Sequence, residues 1–238
     1  MESSPRPDEV VLRVATYNAR HGAGRFGFVS RRGLVATCRS LDADILALQE
    51  LDRYVVRSWF RDQPALVAGA LAMRHATAPA KRTPVGGMQC NALAVRGGLA
   101  DVEIVELPRR QGHERRVVLL AHVILAGATL TVACTHLHHR GGAGREQLAA
   151  VLEMLGGRPG PRVVAGDFNL GPDEVEPLLA ARGYRAALSG PTFPASAPRQ
   201  RIDWIAADGE LRIATARLHS ALVGDHLPVV ADVVVAPA

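Results

Sequence analysis

The chain has 238 residues, 48% of them apolar, which is enough to bury the core of a sizeable globular domain. Its formal charge of +5 suits an anionic partner, but the charge alone does not distinguish nucleic acid from a phosphorylated small molecule. No apolar run is long enough to span a bilayer and no signal peptide is visible, so we expect a soluble, cytoplasmic protein without a membrane anchor.

Apolar runs of strand length alternate along the chain with segments of helical spacing. Strands are predicted at residues 10–16, 44–48, 91–95, 117–124, 129–135, 162–165, 202–206 and 227–235. Helices are predicted at residues 29–41, 63–73, 144–155 and 174–182. The pattern indicates one α/β domain over residues 10–238, preceded by a flexible tail at residues 1–9.

Polar residues follow most of these apolar runs, where an α/β sheet places the groups that contact its ligands. Asn18 follows the first run, and the second ends in Leu48-Gln49-Glu50. The later groups are Thr135-His136-Leu137-His138, Gly166-Asp167-Phe168-Asn169, Ile202-Asp203 and Asp225-His226. Each group alone is better explained as a turn, a cap or a salt bridge. All six in this order predict an active site.

In order and content, these segments resemble the motifs of the endonuclease/exonuclease/phosphatase superfamily, which includes deoxyribonucleases, AP endonucleases, neutral sphingomyelinases and inositol polyphosphate phosphatases. Further segments, such as Arg57-Ser58, Cys90-Asn91-Ala92 and Glu114-x-Arg116, are similar to a compact bacterial branch. Gly224 stands where the family often has serine, a departure that leaves the reaction class intact. The resemblance implies a four-layer α/β sandwich with two facing mixed β-sheets and helices outside.

The resemblance also implies the catalytic roles. Asp203 would orient His226, and this pair would contact the phosphate and help to position the nucleophile. Asp167 would orient or deprotonate the attacking water, and Asn169 would hold a phosphoryl oxygen through its NH₂ group. His136 would donate a hydrogen bond to the phosphate or to the leaving oxygen.

Oxygen-rich side chains such as Glu50, with Asn18 and Asp225 near it, suit a hard cation, Mg²⁺ first and Mn²⁺ second. Zinc is less attractive because no tetrahedral cluster of His and Cys is visible. The side chain of Arg116 fits two roles equally well, a fork onto a phosphate or a structural partner of nearby carboxylates. The candidate substrate contacts are Arg116, His138, Arg57 and Asn91.

The expected reaction is hydrolysis of a phosphate mono- or diester by metal-assisted in-line attack of water. A phosphorylated small molecule or nucleotide is the favoured substrate, and the protein is expected to be a monomer. The alternative is an endonuclease or exonuclease acting on DNA or RNA, although short connections and 4% aromatic residues predict weak binding to duplexes. A sphingomyelinase-like lipid phosphodiesterase and a non-enzymatic binding protein are less favoured.

Overall fold

The computed structural model describes residues 9–24, 26–84, 86–140 and 142–235, which form twelve strands and four α-helices. The strands are β1 (Val10–Asn18), β2 (Ile45–Arg53), β3 (Arg74–Arg82), β4 (Met88–Val95), β5 (Gly98–Glu106), β6 (Val117–Leu125), β7 (Ala128–His136), β8 (Arg162–Asp167), β9 (Tyr184–Ala186), β10 (Asp203–Asp208), β11 (Leu211–Leu218) and β12 (Val229–Val235). The helices are α1 (Arg31–Ser40), α2 (Gln63–Ala70), α3 (Ala143–Gly156) and α4 (Pro172–Ala180).

The strands form two six-stranded sheets. The first has the order β11-β12-β1-β2-β4-β3, and the second has the order β5-β6-β7-β8-β10-β9. β1 runs parallel to β2 and β7 runs parallel to β8, while the other neighbours are antiparallel. Both sheets are therefore mixed.

Three apolar layers hold the two sheets and the helices together. The side chains of β1 contribute to two of these layers. Leu12 and Val14 belong to the layer between the sheets, whereas Ala15 and Tyr17 point to the opposite face and pack with Leu34 of α1. A third layer joins the outer face of the second sheet to α3 and α4. Burial of both faces explains why the central strands are almost continuously apolar. The expected four-layer sandwich is confirmed.

All four predicted helices and all eight predicted strands are present, with bounds that differ by a few residues. The prediction lacked β3, β5, β9 and β11, and these four are the edge strands of the two sheets. An edge strand keeps much of its surface in solvent and so carries polar residues. In β5, for example, four consecutive residues are exposed.

Residues 1–8 of the predicted tail lie outside the described residues. Glu9, the last residue assigned to the tail, accepts a hydrogen bond from Nη2 of Arg212 at 2.9 Å. Across the described ranges, no helix combines the length and the apolar character needed to cross a membrane.

Candidate active site

The predicted site residues are brought together because the strands that carry them end at the same place. Asn18 closes β1 beside Gln49 of the parallel strand β2. In the second sheet, Asp167 at the end of β8 lies between His136 at the end of β7 and Asp203 at the start of the antiparallel strand β10. β12 begins opposite the end of β1, so the loop before it delivers Asp225 and His226 to the same region.

A β-bulge turns Glu50 into the cleft. The pairing of β2 with β4 shifts register between Leu48 and Leu51, and Glu50 has a φ of 57°. A bulge inserts an unpaired residue and re-aims its side chain. The Glu50 carboxylate accepts a hydrogen bond from Nε2 of Gln89 at 3.1 Å and keeps 26% of its surface exposed.

Two glycines permit the close backbone approaches around the site. A Cβ at Gly166 would lie 2.0 Å from the carbonyl oxygen of Thr135, so only glycine allows β8 to approach β7 this closely. Gly224 has a φ of +81°, and a Cβ there would lie 2.8 Å from the hydroxyl of Tyr17. Glycine therefore suits the position before Asp225 where the family often has serine.

Asp203 and His226 form a buried pair, with 2.8 Å between Oδ2 of Asp203 and Nδ1 of His226. Asp203 has no exposed surface, and its Oδ1 has no hydrogen-bond partner among the described residues. Burial alone lowers the pKa of His226, but the Asp203 carboxylate outweighs it and, with Asp167 and Asp225, raises this pKa to about 9. The imidazole is therefore protonated at neutral pH, with Nδ1–H donating to Asp203.

Asp167 lies at the centre of the cluster. Its Oδ2 accepts from Nδ2 of Asn18 at 2.9 Å and lies 3.5 Å from Nε2 of His136 and 3.9 Å from Nε2 of His226. Burial, followed by the neighbouring Asp203 carboxylate, raises the pKa of Asp167 far above the ordinary value for an aspartate. A carboxylate tuned in this way is a better base near neutral pH than an exposed one.

His136 and Asn169 complete the predicted catalytic group. Burial, and then the charge of Arg116, holds the pKa of His136 well below its usual value, so this ring is neutral at pH 7. Asn169 has a φ of 53°, and its Nδ2 donates to the carbonyl of Leu137 at 3.0 Å. The second hydrogen of that NH₂ group is left for another acceptor.

Of the three residues predicted to hold a metal, two present an oxygen ligand to the cleft and one does not. Glu50 offers a partly exposed carboxylate on the cleft, and Asp225 offers another that lies 3.2 Å from Nη1 of Arg20. Asn18 is different, because its Oδ1 accepts from the backbone N–H of Arg20 and its Nδ2 points at the carboxylates. Its amide presents a donor, not the oxygen that a cation requires. Carboxylates dominate this donor set, as a hard cation prefers.

A second group of possible metal ligands is Asp167, Asp203 and His226, whose ligand atoms all lie within 4.8 Å of one another. In this group His226 is already committed to Asp203 through Nδ1, so only its Nε2 faces the rest of the site.

The four predicted substrate contacts are not all on the cleft. Arg116 and Arg57 line it, although Arg57 forms a two-pronged ion pair with the buried Asp52 at 2.7 and 2.9 Å. Nε of Arg116 is buried without a partner in the described structure. His138 lies outside the lining, where its ring stacks on that of His113 at 4.2 Å. Asn91 donates to the carbonyl of Val117 and lines a small adjoining cavity.

The cleft encloses about 490 Å³ and has lining residues that the sequence analysis did not assign to the site. These are Arg20, His21, Lys81, Thr83, Pro84, Gln89, Glu114, His139 and Phe193. Some carried a detectable signal, because Arg20 and His21 directly follow Asn18 and because Lys81 is the only lysine of the chain. The ring of Phe193 lies 4.8 Å from that of His226, a contact between loops that no motif indicated.

The model of the Endonuclease/Exonuclease/phosphatase family matches residues 15–226, and the chain belongs to this family, whose members are hydrolases acting on phosphoester bonds. A search of curated proteins found no match.

Solved structures share the fold at low sequence identity. An endonuclease/exonuclease/phosphatase from Beutenbergia cavernae aligns with a TM-score of 0.81 and 23% identity, covering 96% of this chain and 72% of its own. A mannosyl-6-phosphatase from Bacteroides thetaiotaomicron aligns with a TM-score of 0.76 and 18% identity, covering 93% and 99%. The human Nocturnin catalytic domain with a bound sulfate anion has a TM-score of 0.70 and 22% identity, covering 97% and 99%.

Proposed function

We propose that this chain is a Mg²⁺- or Mn²⁺-dependent phosphoesterase that hydrolyses a phosphate mono- or diester of a small molecule or nucleotide. The observation that carries the proposal is the buried Asp203–His226 pair, which lies beside Asp167 at the floor of a cleft whose wall includes Glu50. A non-enzymatic role would not require an imidazolium and a basic carboxylate to be buried side by side.

Glu50 and Asp225 would hold the cation. When bound, it would neutralise negative charge on the phosphoryl oxygens and assist the departure of the leaving oxygen. Asn18 would act by orienting Asp167 through the 2.9 Å hydrogen bond, because its amide oxygen faces the backbone of Arg20. We therefore propose that Asn18 orients Asp167 and does not bind the cation directly.

The side chains of the cleft would divide the remaining tasks. Asp167 would accept a proton from the attacking water, since its raised pKa brings its basicity closer to working pH. The Nε2–H of the charged His226 would donate to a phosphoryl oxygen, while Asp203 fixes the ring through Nδ1. The free N–H of Asn169 would bind a second oxygen, and the neutral His136 would donate to the phosphate or the leaving oxygen.

The charge balance of the cleft favours a small substrate. Its cations are already paired with carboxylates: Arg20 with Asp225, Arg57 with Asp52, and both Lys81 and Arg116 with Glu114. Few positive charges are thus left for a long phosphate backbone, which needs several contacts to bind tightly. The fold similarity to a mannosyl-6-phosphatase from Bacteroides thetaiotaomicron supports a small phosphorylated substrate.

A substrate panel tests the proposal. Aryl phosphate mono- and diesters, sugar phosphates, nucleotides, and duplex and single-stranded oligonucleotides are each incubated with Mg²⁺, with Mn²⁺ and with EDTA. We expect metal-dependent hydrolysis of at least one small ester, with an efficiency no lower than for duplex DNA. Turnover of nucleic acid alone, with affinity that falls steeply as salt rises, would instead identify a nuclease. No turnover of any ester would refute the proposal.

A further inference from the structure

Half of the aromatic residues of this chain are exposed in two loops beside the cleft. The chain has two tryptophans, three tyrosines and five phenylalanines. The exposed ones, which we call the aromatic rim, are Phe26 (84%), Phe28 (82%), Tyr54 (54%), Trp59 (75%) and Phe60 (62%). The first two precede α1, and the other three lie between β2 and α2.

The two loops of the rim are neighbours and border the same cleft. Nε2 of Gln63, the first residue of α2, donates to the carbonyl of His21 at 2.8 Å. His21 lies in the connection that carries Phe26 and Phe28, and Arg57 lies in the connection that carries Trp59. His21 and Arg57 both line the cleft. The aromatic rim therefore lies at one side of the cleft mouth.

The rim lies outside the apolar core of the described structure. Tyr54, Trp59 and Phe60 have φ values of 60°, 58° and 54°, a left-handed conformation that is unfavourable for bulky side chains. This strained backbone presents the rings largely to solvent, and none of the three belongs to the apolar layers of the described structure. Strain together with exposed apolar area that lies outside the core indicates an external partner.

The charges around the rim indicate that the partner is anionic. Residues 10–41 contain six arginines and no acidic residue, and α2 has no acidic residue either. Two of the six, Arg13 and Arg20, are paired with Asp232 and Asp225. Arg31 and Arg32 open α1, where the helix dipole disfavours cations. Within the described residues, the side chains of Arg31, Arg32 and Arg61 make no hydrogen bond or ion pair, although the backbone of Arg61 bonds to Tyr54 and Ser58. These three side chains place positive charge beside the rim without a partner among the described residues.

The exposure of the rings favours a fluid apolar phase over stacked bases. Rings that stack on bases line a positively charged groove, whereas Phe26, Phe28 and Trp59 stand in loops and are more than 70% exposed. Leu222 is also exposed next to α1, where its N–H donates to Oγ1 of Thr37 at 3.0 Å, and an aliphatic side chain does not stack on bases. Aromatic and aliphatic side chains flanked by arginines are typical of the interfacial region of anionic bilayers.

We propose that the aromatic rim, with Arg31, Arg32 and Arg61, docks the protein on the surface of an anionic lipid bilayer. The cleft mouth beside the rim then faces the layer of headgroups. If the proposed phosphoesterase function holds, a phosphoester presented at that surface is hydrolysed faster than the same group free in solution.

Binding to vesicles tests the docking surface. The full chain is mixed with vesicles of phosphatidylcholine, with or without phosphatidylserine, and recruitment is measured by co-sedimentation. Tryptophan emission is recorded in parallel, because Trp59 is exposed while Trp204 is buried. We expect recruitment to anionic vesicles, a blue shift in emission that is absent in Trp59→Phe, and weakening as salt rises.

Matched variants separate the rim from general surface effects. Phe28→Ser with Trp59→Ser should reduce vesicle affinity at least tenfold, whereas Val102→Ser with Ile104→Ser, which changes exposed apolar residues of the edge strand β5, should not. Arg31→Gln with Arg32→Gln should lose the preference for anionic vesicles. Hydrolysis of a soluble aryl ester should stay unchanged in all three variants.

Several results would overturn the docking proposal. The first is that the wild type is recruited equally to neutral and anionic vesicles. The second is that the Phe28/Trp59 variant and the Val102/Ile104 variant are recruited equally well, and the third is that no vesicles recruit the protein. Quenching of Trp59 by single-stranded oligonucleotides without vesicle binding would identify a nucleic-acid surface instead. Self-association that the rim variants abolish would identify a contact between copies. Failure of the proposed function is distinguishable, because it appears as absent turnover of soluble esters whatever the vesicles show.

Discussion

The change Asp203→Asn removes a buried negative charge while it keeps the size of the side chain. In the native protein Oδ2 of Asp203 lies 2.8 Å from Nδ1 of His226, and burial by itself lowers the pKa of that histidine. The carboxylate of Asp203 makes the largest contribution that raises this pKa, so the pKa of His226 should fall well below about 9 in the variant.

The raised pKa of His226 gives the size of the expected effect on stability. A rise from 6.5 to about 9, at 1.36 kcal/mol per unit, means that the fold favours the charged imidazole by about 3 kcal/mol. Because the folded-state pKa is raised, this stabilisation is fully present below about pH 6.5 and is lost as pH rises through about 9. The difference in free energy of unfolding between wild type and Asp203→Asn should therefore narrow over that window.

Two assays measure the effect. Histidine ring resonances followed by NMR in EDTA, with His226→Gln to assign the signal, give the pKa of His226 directly. Turnover should fall by about 10²- to 10⁴-fold in Asp203→Asn. The double variant Asp203→Asn with His226→Ala should lose no more turnover than the more damaging of the two single variants, because the carboxylate acts through the ring. An unchanged titration of His226, or losses that multiply in the double variant, would refute the pairing.

Three further changes test other parts of the site. Glu50→Gln should abolish detectable Mg²⁺ binding in isothermal titration and leave the circular dichroism spectrum unchanged. The control Glu153→Gln, on the exposed side of α3, should bind Mg²⁺ as the wild type does, and normal Mg²⁺ affinity in Glu50→Gln would exclude Glu50 as a ligand. Arg116→Lys keeps the charge but loses the planar fork, so kcat/KM should fall about tenfold to a hundredfold, and an unchanged kcat/KM would assign Arg116 a structural role. Gly166→Ala places a Cβ 2.0 Å from a backbone oxygen of β7 and should destabilise the fold by about 1–3 kcal/mol, unlike Gly171→Ala, which meets no atom within 4 Å; equal melting temperatures would contradict the close approach.

The central strands and the four helices were predictable because the spacing of their apolar residues indicates which faces are buried. β1, for instance, packs apolar side chains on both of its faces, and α1 is capped by Ser30, whose Oγ accepts from the N–H of Gly33. The edge strands β3, β5, β9 and β11 were not predictable in this way, since each has a neighbour on one side only. Their existence depends on pairing with distant strands, which a local pattern does not encode.

The site was predictable only in part for a similar reason. Order along the chain indicated Glu50, Asp167 and His226, since each belongs to a recognisable group of polar residues. No sequence pattern indicated the bulge that re-aims Glu50 or the direction of the Asn18 amide, because both follow from backbone geometry.

The aromatic content was misleading when it was averaged over the chain. The total of 4% aromatic residues predicted weak binding to nucleic-acid duplexes. Folding, however, places half of those residues in the aromatic rim. Loops with no periodic pattern give no indication of such a concentration before their neighbours in space are known.

The most direct test of the central claim is the rate at which the purified chain hydrolyses its best small phosphoester as Mg²⁺ is titrated. EDTA and then excess Mg²⁺ follow, and His226→Ala is measured in parallel. We expect hydrolysis that saturates with Mg²⁺, stops with EDTA and returns with excess metal. In His226→Ala the rate should fall by orders of magnitude. Hydrolysis that persists in EDTA, or that is equally fast in His226→Ala, would contradict that claim.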